Sequence, residues 1–276
     1  MGKFDGILIC TDLDGTLYKN DQTISRENRE AIEYFKREGG YFTFITGRMP
    51  YYSAEAYQAV QPNVPFGCVN GGGLYDGASN EYVYKRELHP DFKELIQCIE
   101  ERPFDVGIQL CGFEQTYFAK ENETMVEFRS RTGVPYRACD YKNVDFALAK
   151  VIFGGENNED LLAIEQILRE HPIASSFDFV RSERTLFEIL PKGVNKGAAL
   201  VALAEYLKID RKNTIAVGDY NNDVKMLQAA GIGIAVANAS RAALEAADLV
   251  TVSNEEHAIA QIVCDIERGN LKQHDK

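Results

Sequence analysis

What most constrains the fold of this chain is a rhythm that runs at both of its ends and breaks in between. Short, wholly apolar runs alternate there with stretches of helical periodicity. Gly6–Thr11 (GILICT) is a run of the kind that forms a strand buried on both faces. Ser25 is placed to cap a helix running to about Glu38, in which Ala31, Ile32 and Phe35 recur at helical spacing and Gly39-Gly40 supply the stop. Tyr41–Ile45 repeats the strand signal, Tyr51–Val60 the helix, and Phe66–Val69 a third strand closed by Asn70-Gly71-Gly72-Gly73. After Pro191 the rhythm resumes with helix Lys196–Leu207, strand Thr214–Val217, helix Asn222–Ala230, strand Ile232–Val236, a short strand near Leu249–Val252 and a closing helix Glu255–Arg268. Short strand–helix–strand links imply right-handed crossovers and a parallel sheet covered on both faces.

The middle has a different character. Leu74–Tyr75 and Tyr82–Tyr84 form a hairpin pattern around Asp76-Gly77. Then come a helix (Asp91–Glu101), two strands (Val106–Leu110, Gln115–Ala119), a helix (Glu123–Thr132), a strand (Ala147–Phe153), a helix (Glu159–Glu170) and two more strands (Ser176–Val180, Thr185–Leu190). That order describes an α+β sheet with helices on one face. The chain therefore reads as α/β: a Rossmann-like parallel-sheet core formed by residues 1–86 and 188–276, interrupted by an inserted α+β domain over 87–187.

With 276 residues, 45% of them hydrophobic, the chain is long enough to bury a sizeable core, which excludes a disordered protein. No apolar run approaches the roughly 18–20 residues of a membrane span, and Met1–Asp5 does not lead into a secretory signal. The net charge of −12 argues against non-specific binding to nucleic acid or to a membrane surface. The six cysteines (Cys10, Cys68, Cys98, Cys111, Cys139, Cys264) form no C-x-x-C pair, so reduced thiols in a cytoplasmic protein are expected and a zinc site is not. The polar tail Asn270–Lys276 is expected to fray. His89, His171, His257 and His274 fall near helix ends with no catalytic neighbour, and surface positions are expected for them. Tyr51, Tyr52 and Tyr57 read as packing residues, and Gly231-x-Gly233 lacks the third glycine and the following helix of a dinucleotide site.

In an open parallel sheet, ligands bind outside the carboxyl ends of the strands. Three strands here end in reactive residue types: the first runs into Asp12-Leu13-Asp14-Gly15-Thr16, the second into Thr46-Gly47-Arg48, and the strand Thr214–Val217 into Gly218-Asp219-Tyr220-Asn221-Asn222-Asp223. In extended backbone Asp12 and Asp14 share a side while Leu13 turns to the core, and Gly15 permits a sharp turn. An Asp-Gly pair alone is an ordinary turn, but D-x-D-G-T arises by chance at about one position in 10⁵ from background residue frequencies.

Adding Asp219 and Asp223 places four carboxylates at one crevice. Each pair 4 Å apart repels by about 4 kcal/mol at an effective dielectric of 20. A hard divalent cation removes that conflict, and oxygen-only ligands select magnesium over zinc. For an anionic ligand, the hydroxyl of Thr46 and the N–H of Gly47 are candidate donors and Lys196 a candidate counter-charge. Each has an ordinary alternative: a strand-ending threonine, or a lysine in the first turn of a helix, where the dipole disfavours it. Arg48 reads equally well as a ligand contact or as a structural salt bridge.

Taken together, Asp12-Leu13-Asp14-Gly15-Thr16, Thr46-Gly47-Arg48, Lys196 and Gly218-Asp219 through Asn222-Asp223 resemble the four motifs of the haloacid dehalogenase superfamily. The chain is similar to its Cof-like sugar-phosphatase branch, which carries a large cap between the second and third motifs and an Asn-Gly-Gly like Asn70–Gly72. One departure is Ala235-Val236-Ala237-Asn238-Ala239, where the branch often has methionine and glycine before Asn-Ala. The resemblance implies that Asp12 is the nucleophile forming an aspartyl-phosphate and Asp14 the acid and then base. It also implies a magnesium ion held by Asp12, the Asp14 carbonyl and Asp219 with support from Asp223, and phosphate oxygens held by Thr46, Lys196 and Asn222. A closing cap would choose the substrate, with Glu114, Tyr117, Arg181 and Glu183 as candidates.

The expected function is hydrolysis of small phosphorylated metabolites, sugar phosphates first among them, by a monomer or small homo-oligomer. The alternatives are a phosphomutase and, from another class, a phospho-aspartate signalling module.

Overall fold

The computed structural model describes residues 2–271, so Lys272–Lys276 of the expected frayed tail, His274 included, lie outside the described residues. The chain divides into two units: one takes the residues up to Tyr84 and those from Asn195 on, the other Lys85–Val194. The expected boundaries were residues 86 and 188. The return crossing comes later than 188 because Glu188 lies inside a strand, paired to Ile152, that belongs wholly to the inserted unit's sheet.

The first unit opens with β1 (Leu8–Thr11), α1 (Arg26–Arg37), β2 (Tyr41–Phe44), α2 (Ala54–Val60), β3 (Phe66–Cys68), β4 (Gly73–Asp76) and β5 (Glu81–Lys85). Ser25 caps α1 by accepting from the Asn28 N–H at 3.2 Å. The helix expected over Tyr51–Val60 is instead a 3₁₀ turn at Pro50–Tyr52 followed by α2. The run Phe66–Val69 does not extend the parallel sheet as a full strand. β3 pairs antiparallel with β4, and among the described residues a single parallel bridge, Ile45↔Gly67, links it towards β2.

The inserted unit contains α3 (Phe92–Glu100), β6 (Gly107–Gly112), β7 (Thr116–Lys120), α4 (Glu123–Thr132), β8 (Leu148–Gly154), α5 (Asn158–Glu170), β9 (Phe177–Glu183) and β10 (Leu186–Pro191). Its strands form one sheet in the order β7-β6-β8-β10-β9 with antiparallel pairings. One face, carrying Ile108, Leu110, Val151, Phe153, Phe187 and Ile189, shares a core with Leu95, Ile96 and Ile99 of α3 and Leu161, Ile164 and Leu168 of α5.

The first unit resumes with α6 (Lys196–Leu207), β11 (Thr214–Gly218), α7 (Val224–Ala229), β12 (Ile232–Ala235), α8 (Arg241–Ala246), β13 (Leu249–Val250) and α9 (Ala258–Glu267). The helix α8 is not foreseen by the sequence reading. The closing helix starts late because His257 adopts φ +65° between a 3₁₀ turn and α9. The main sheet has the order β13-β12-β11-β1-β2, parallel throughout. Leu8 and Cys10 of β1 point into a core shared with Ala199, Leu200 and Leu203 of α6 and Met226 and Leu227 of α7. Small residues let these elements approach: a Cβ on Gly197 of α6 would stand 2.4 Å from the Lys225 carbonyl of α7, and one on Gly233 of β12 2.3 Å from that of Leu227. The Gly231-x-Gly233 pair is thus a packing feature. Among the described residues no helix is long and apolar enough to cross a membrane.

The register fixes the site. Thr11 lies opposite Val217 of β11 and Phe44 of β2, so the residues after β1, β2 and β11 all emerge at one edge of the sheet.

Candidate active site

Asp12 leaves β1 at that edge, its N–H still bonded to the Val217 carbonyl at 2.8 Å. Its side chain is buried beside that of Lys196, the first residue of α6. Asn195 caps this helix by accepting from the Ala198 N–H at 2.9 Å, and Lys196 is wholly buried. Its Nζ donates to Asp12 Oδ1 at 2.6 Å and to Asp223 Oδ1 at 2.6 Å. Burial and the helix dipole both disfavour a cation here, but the two carboxylates outweigh them and hold the ammonium above the ordinary lysine value.

The loop after β11 is wound tightly about Asp223, whose Oδ2 accepts from the N–H groups of Asp219 and Tyr220, each at 3.0 Å. A side chain at Gly218 would collide with it, since a Cβ there would lie 2.5 Å from Asp223 Cβ. The loop therefore presents Asp219, which accepts from the Thr16 hydroxyl at 2.8 Å. Gly15 makes that approach possible: it sits at φ +78°, and a Cβ on it would stand 2.6 Å from Asp219 Oδ2.

One ligand oxygen from each of Asp12, Asp219 and Asp223 can be chosen so that all lie within 4.8 Å of one another. The crowding shows in their acidities. Burial, and next the charge of Asp223, push Asp12 well above the usual carboxylate range despite Lys196. Burial and Asp223 likewise push Asp219 up to about 7. Three carboxylates against one ammonium leave a negative excess with oxygen-only donors, and that set fits a hard divalent cation.

The carboxylate of Asp14 takes another partner. Arg48 Nε donates to its Oδ2 at 2.9 Å and Arg48 Nη2 to its Oδ1 at 2.5 Å. Of the two readings of Arg48 that the sequence left open, the structure displays the salt bridge. Thr46 is buried, and its hydroxyl oxygen accepts from the Arg48 N–H at 3.2 Å, forming a tight turn after β2. Gly47 is confined by Asn70, whose Oδ1 would lie 3.1 Å from a Cβ at that position. Asn222 lies before α7 rather than inside the helix expected over Asn222–Ala230, and its Nδ2 donates to Asn70 Oδ1 at 3.0 Å. Its own Oδ1 is buried with no hydrogen-bond partner among the described residues.

Sequence reasoning assigned no role to several residues that build this site. Val69 and Asn70 both adopt left-handed backbone, at φ +55° and +52°, which a β-branched valine disfavours. The turn they make carries Asn70 to Asn222 and brings Gly71 so close to α6 that a Cβ would fall 2.3 Å from the Asn195 carbonyl. The Asn-Gly-Gly signal was visible, but its structural task was not. Asn238 donates from Nδ2 to the Gly15 carbonyl at 2.8 Å. Gln22 accepts from Arg48 Nη2 at 3.0 Å. Of the expected cap residues, Arg181 bonds Asn158 Oδ1 at 2.9 Å and Glu183 pairs with Arg131 at 2.7 Å, both within the inserted unit.

The sequence pattern of the haloacid dehalogenase-like hydrolases matches residues 9–263. The chain belongs to that family. Two Bacillus subtilis relatives, the 5-amino-6-(5-phospho-D-ribitylamino)uracil phosphatases YitU and YcsE, are each 28% identical over 93% of this chain, covering 96% and 94% of their own lengths. A haloacid dehalogenase-like hydrolase from Bacteroides thetaiotaomicron superposes with a TM-score of 0.83 at 25% identity, over 94% of this chain and 99% of the other. The HAD subclass IIB sugar phosphatase BT4131 superposes at 0.81 with 20% identity, over 96% and 100%, a likeness of fold. This member of the family is a phosphatase.

Proposed function

We propose that the protein is a magnesium-dependent phosphatase of small phosphorylated metabolites, sugar phosphates foremost, acting through an aspartyl-phosphate on Asp12. The observation that carries this reading is the meeting of Asp12, Asp219 and Asp223 within 4.8 Å around buried Lys196. Magnesium would be held by Asp12, Asp219 and the Asp14 carbonyl, with Asp223 in support, and would neutralise the facing charges of carboxylate and phosphate when bound.

The chain's own groups supply the rest. Lys196 holds Asp12 in one rotamer and offers its charge to the phosphoryl oxygens. The Thr46 hydroxyl, the Gly47 N–H and the Asn222 amide orient the same oxygens, with Arg48 beside them. A carboxylate oxygen of Asp12 attacks phosphorus and the leaving oxygen takes a proton from Asp14. In the second half, Asp14 removes a proton from water, the water oxygen attacks phosphorus, and the bond to Asp12 breaks to release inorganic phosphate. The buried thiols Cys10, Cys68 and Cys111, none of them in a disulfide, support a reducing, cytoplasmic setting.

The test is a screen of phosphorylated sugars, nucleotides and cofactors with magnesium and a chelator control, read as inorganic phosphate. Release of phosphate from one class, lost with the chelator, is the expected result. Isomerised product without phosphate would instead indicate a phosphomutase, and a phospho-protein stable for hours with magnesium present would indicate a signalling module.

A further inference from the structure

The Arg48–Asp14 pair does not stand alone. The guanidinium lies over the Tyr18 ring, 5.2 Å from its centre, and Nη2 is shared between Asp14 Oδ1 and Gln22 Oε1. Tyr18 is buried, whereas Gln22 is exposed and adopts φ +62°, a conformation that costs a non-glycine residue free energy. The turn around Gln22 is anchored at several points. Gln22 N–H donates to the Lys19 carbonyl and Lys19 N–H to that of Thr23, each at 2.9 Å. Asn254 Nδ2 donates to the Tyr18 carbonyl at 3.0 Å, and Glu255 accepts from the Asn20 N–H at 2.7 Å. A strained, exposed glutamine is thus held where its carbonyl meets one hydrogen of one arginine.

We infer that Gln22 is a positioning residue for the reaction, acting through Arg48 on the carboxylate of Asp14. The inference rests on the reading of Asp14 as the proton-transfer group. The bidentate pair is the form of Asp14 that the second half-reaction uses, with both oxygens unprotonated. When Asp14 carries a proton, one oxygen stops accepting from Arg48. Gln22 Oε1 then keeps Nη2 occupied, and the Tyr18 ring keeps the guanidinium plane in place. Arg48 therefore stays put through the cycle, and Asp14 returns to the same orientation each time it gives its proton up. In the step so served, Asp14 takes a proton from water, the water oxygen bonds to phosphorus, and the P–O bond to Asp12 breaks with its electrons returning to the Asp12 carboxylate.

Gln22→Gly tests this cleanly, because it removes the side chain at a position where glycine relieves the left-handed strain. With p-nitrophenyl phosphate and magnesium, the leaving group needs no proton, so a misplaced Asp14 slows only hydrolysis of the phosphoenzyme. The expected result is that kcat and KM fall together by about three- to tenfold, with a burst of nitrophenolate approaching one per enzyme, while Tm holds or rises. Asp14→Asn is the control, with the same pattern and a kcat loss of about 10²-fold or more. A Gln22→Gly enzyme with wild-type kcat, or with lowered kcat but neither a lowered KM nor a burst, overturns the inference if Asp14→Asn behaves as expected. If Asp14→Asn itself lacks the pattern, the role given to Asp14 is what fails.

Discussion

Lys196 in the sheet unit and Lys150 in the inserted unit are both buried, and both donate to a carboxylate, at 2.6 Å to Asp12 and at 2.9 Å to Glu188. What marks Lys196 is the number of carboxylates gathered about it. Lys150 and Glu188 form an ion pair across adjacent antiparallel strands. Lys196 faces Asp12 and Asp223, with Asp219 close by, so that three carboxylates exceed one ammonium. Burial punishes net charge far more than it punishes a matched pair. The sheet unit's cluster has more carboxylates than its lysine can neutralise, and that excess marks it as a candidate cation site.

The comparison can be broken most severely at the nucleophile. Asp12→Asn is expected to lower phosphate release by about 10⁴-fold or more in a protein that still folds, as measured by turnover beside circular dichroism. Retained turnover would refute the covalent route. Next comes Lys196→Met, which strands Asp12 and Asp223 together. It should cost about 3–5 kcal/mol in denaturant titration and about 10²–10³ in kcat.

A smaller effect sharpens the contrast through pH. Asp219 is raised to about 7 in the fold against about 3.9 in an unfolded chain. The folded form therefore binds the extra proton between those values, and its metal-free stability from this group declines as pH rises from about 4 to 7. Magnesium should replace that proton, so the gain in Tm on adding it should be larger at pH 8 than at pH 5.5. An equal gain would mean that Asp219 does not take part. The smallest effect belongs to the inserted unit. Lys150→Met with Glu188→Leu should leave stability within about 1 kcal/mol or raise it, whereas Lys150→Met alone should cost about 3–5 kcal/mol.

The legible parts of this fold are those that local chemistry dictates. Strands of a parallel sheet are buried on both faces, so GILICT and YFTF stand out as unbroken apolar runs. The helices Glu123–Thr132 and Lys196–Leu207 have the bounds their sequences indicate, because asparagine caps open them and left-handed Gly133 and Lys208 close them. By contrast α8 is short, with Ala243 its buried residue, and leaves no periodic trace. The fate of Phe66–Cys68 depended on which neighbour it would pair with, a choice made by the turn at Val69-Asn70 and not by its own residues.

The acidic motifs of the site announced themselves by spacing along the chain. Their partners did not: Asn70 meets Asn222 from 152 residues away, and Arg48 meets Asp14 from 34. Such contacts follow from the register of β1, β2 and β11, which short apolar strands do not encode one residue at a time.

Calorimetric titration of the metal-free protein with magnesium tests the central claim most directly, run beside Asp219→Asn and the Lys150→Met, Glu188→Leu double variant. One ion per chain is predicted for the wild type and the double variant, with binding at least about tenfold weaker in Asp219→Asn, the loss expected when a metal site is disturbed. No binding to the wild type, or equal binding by Asp219→Asn, would contradict it.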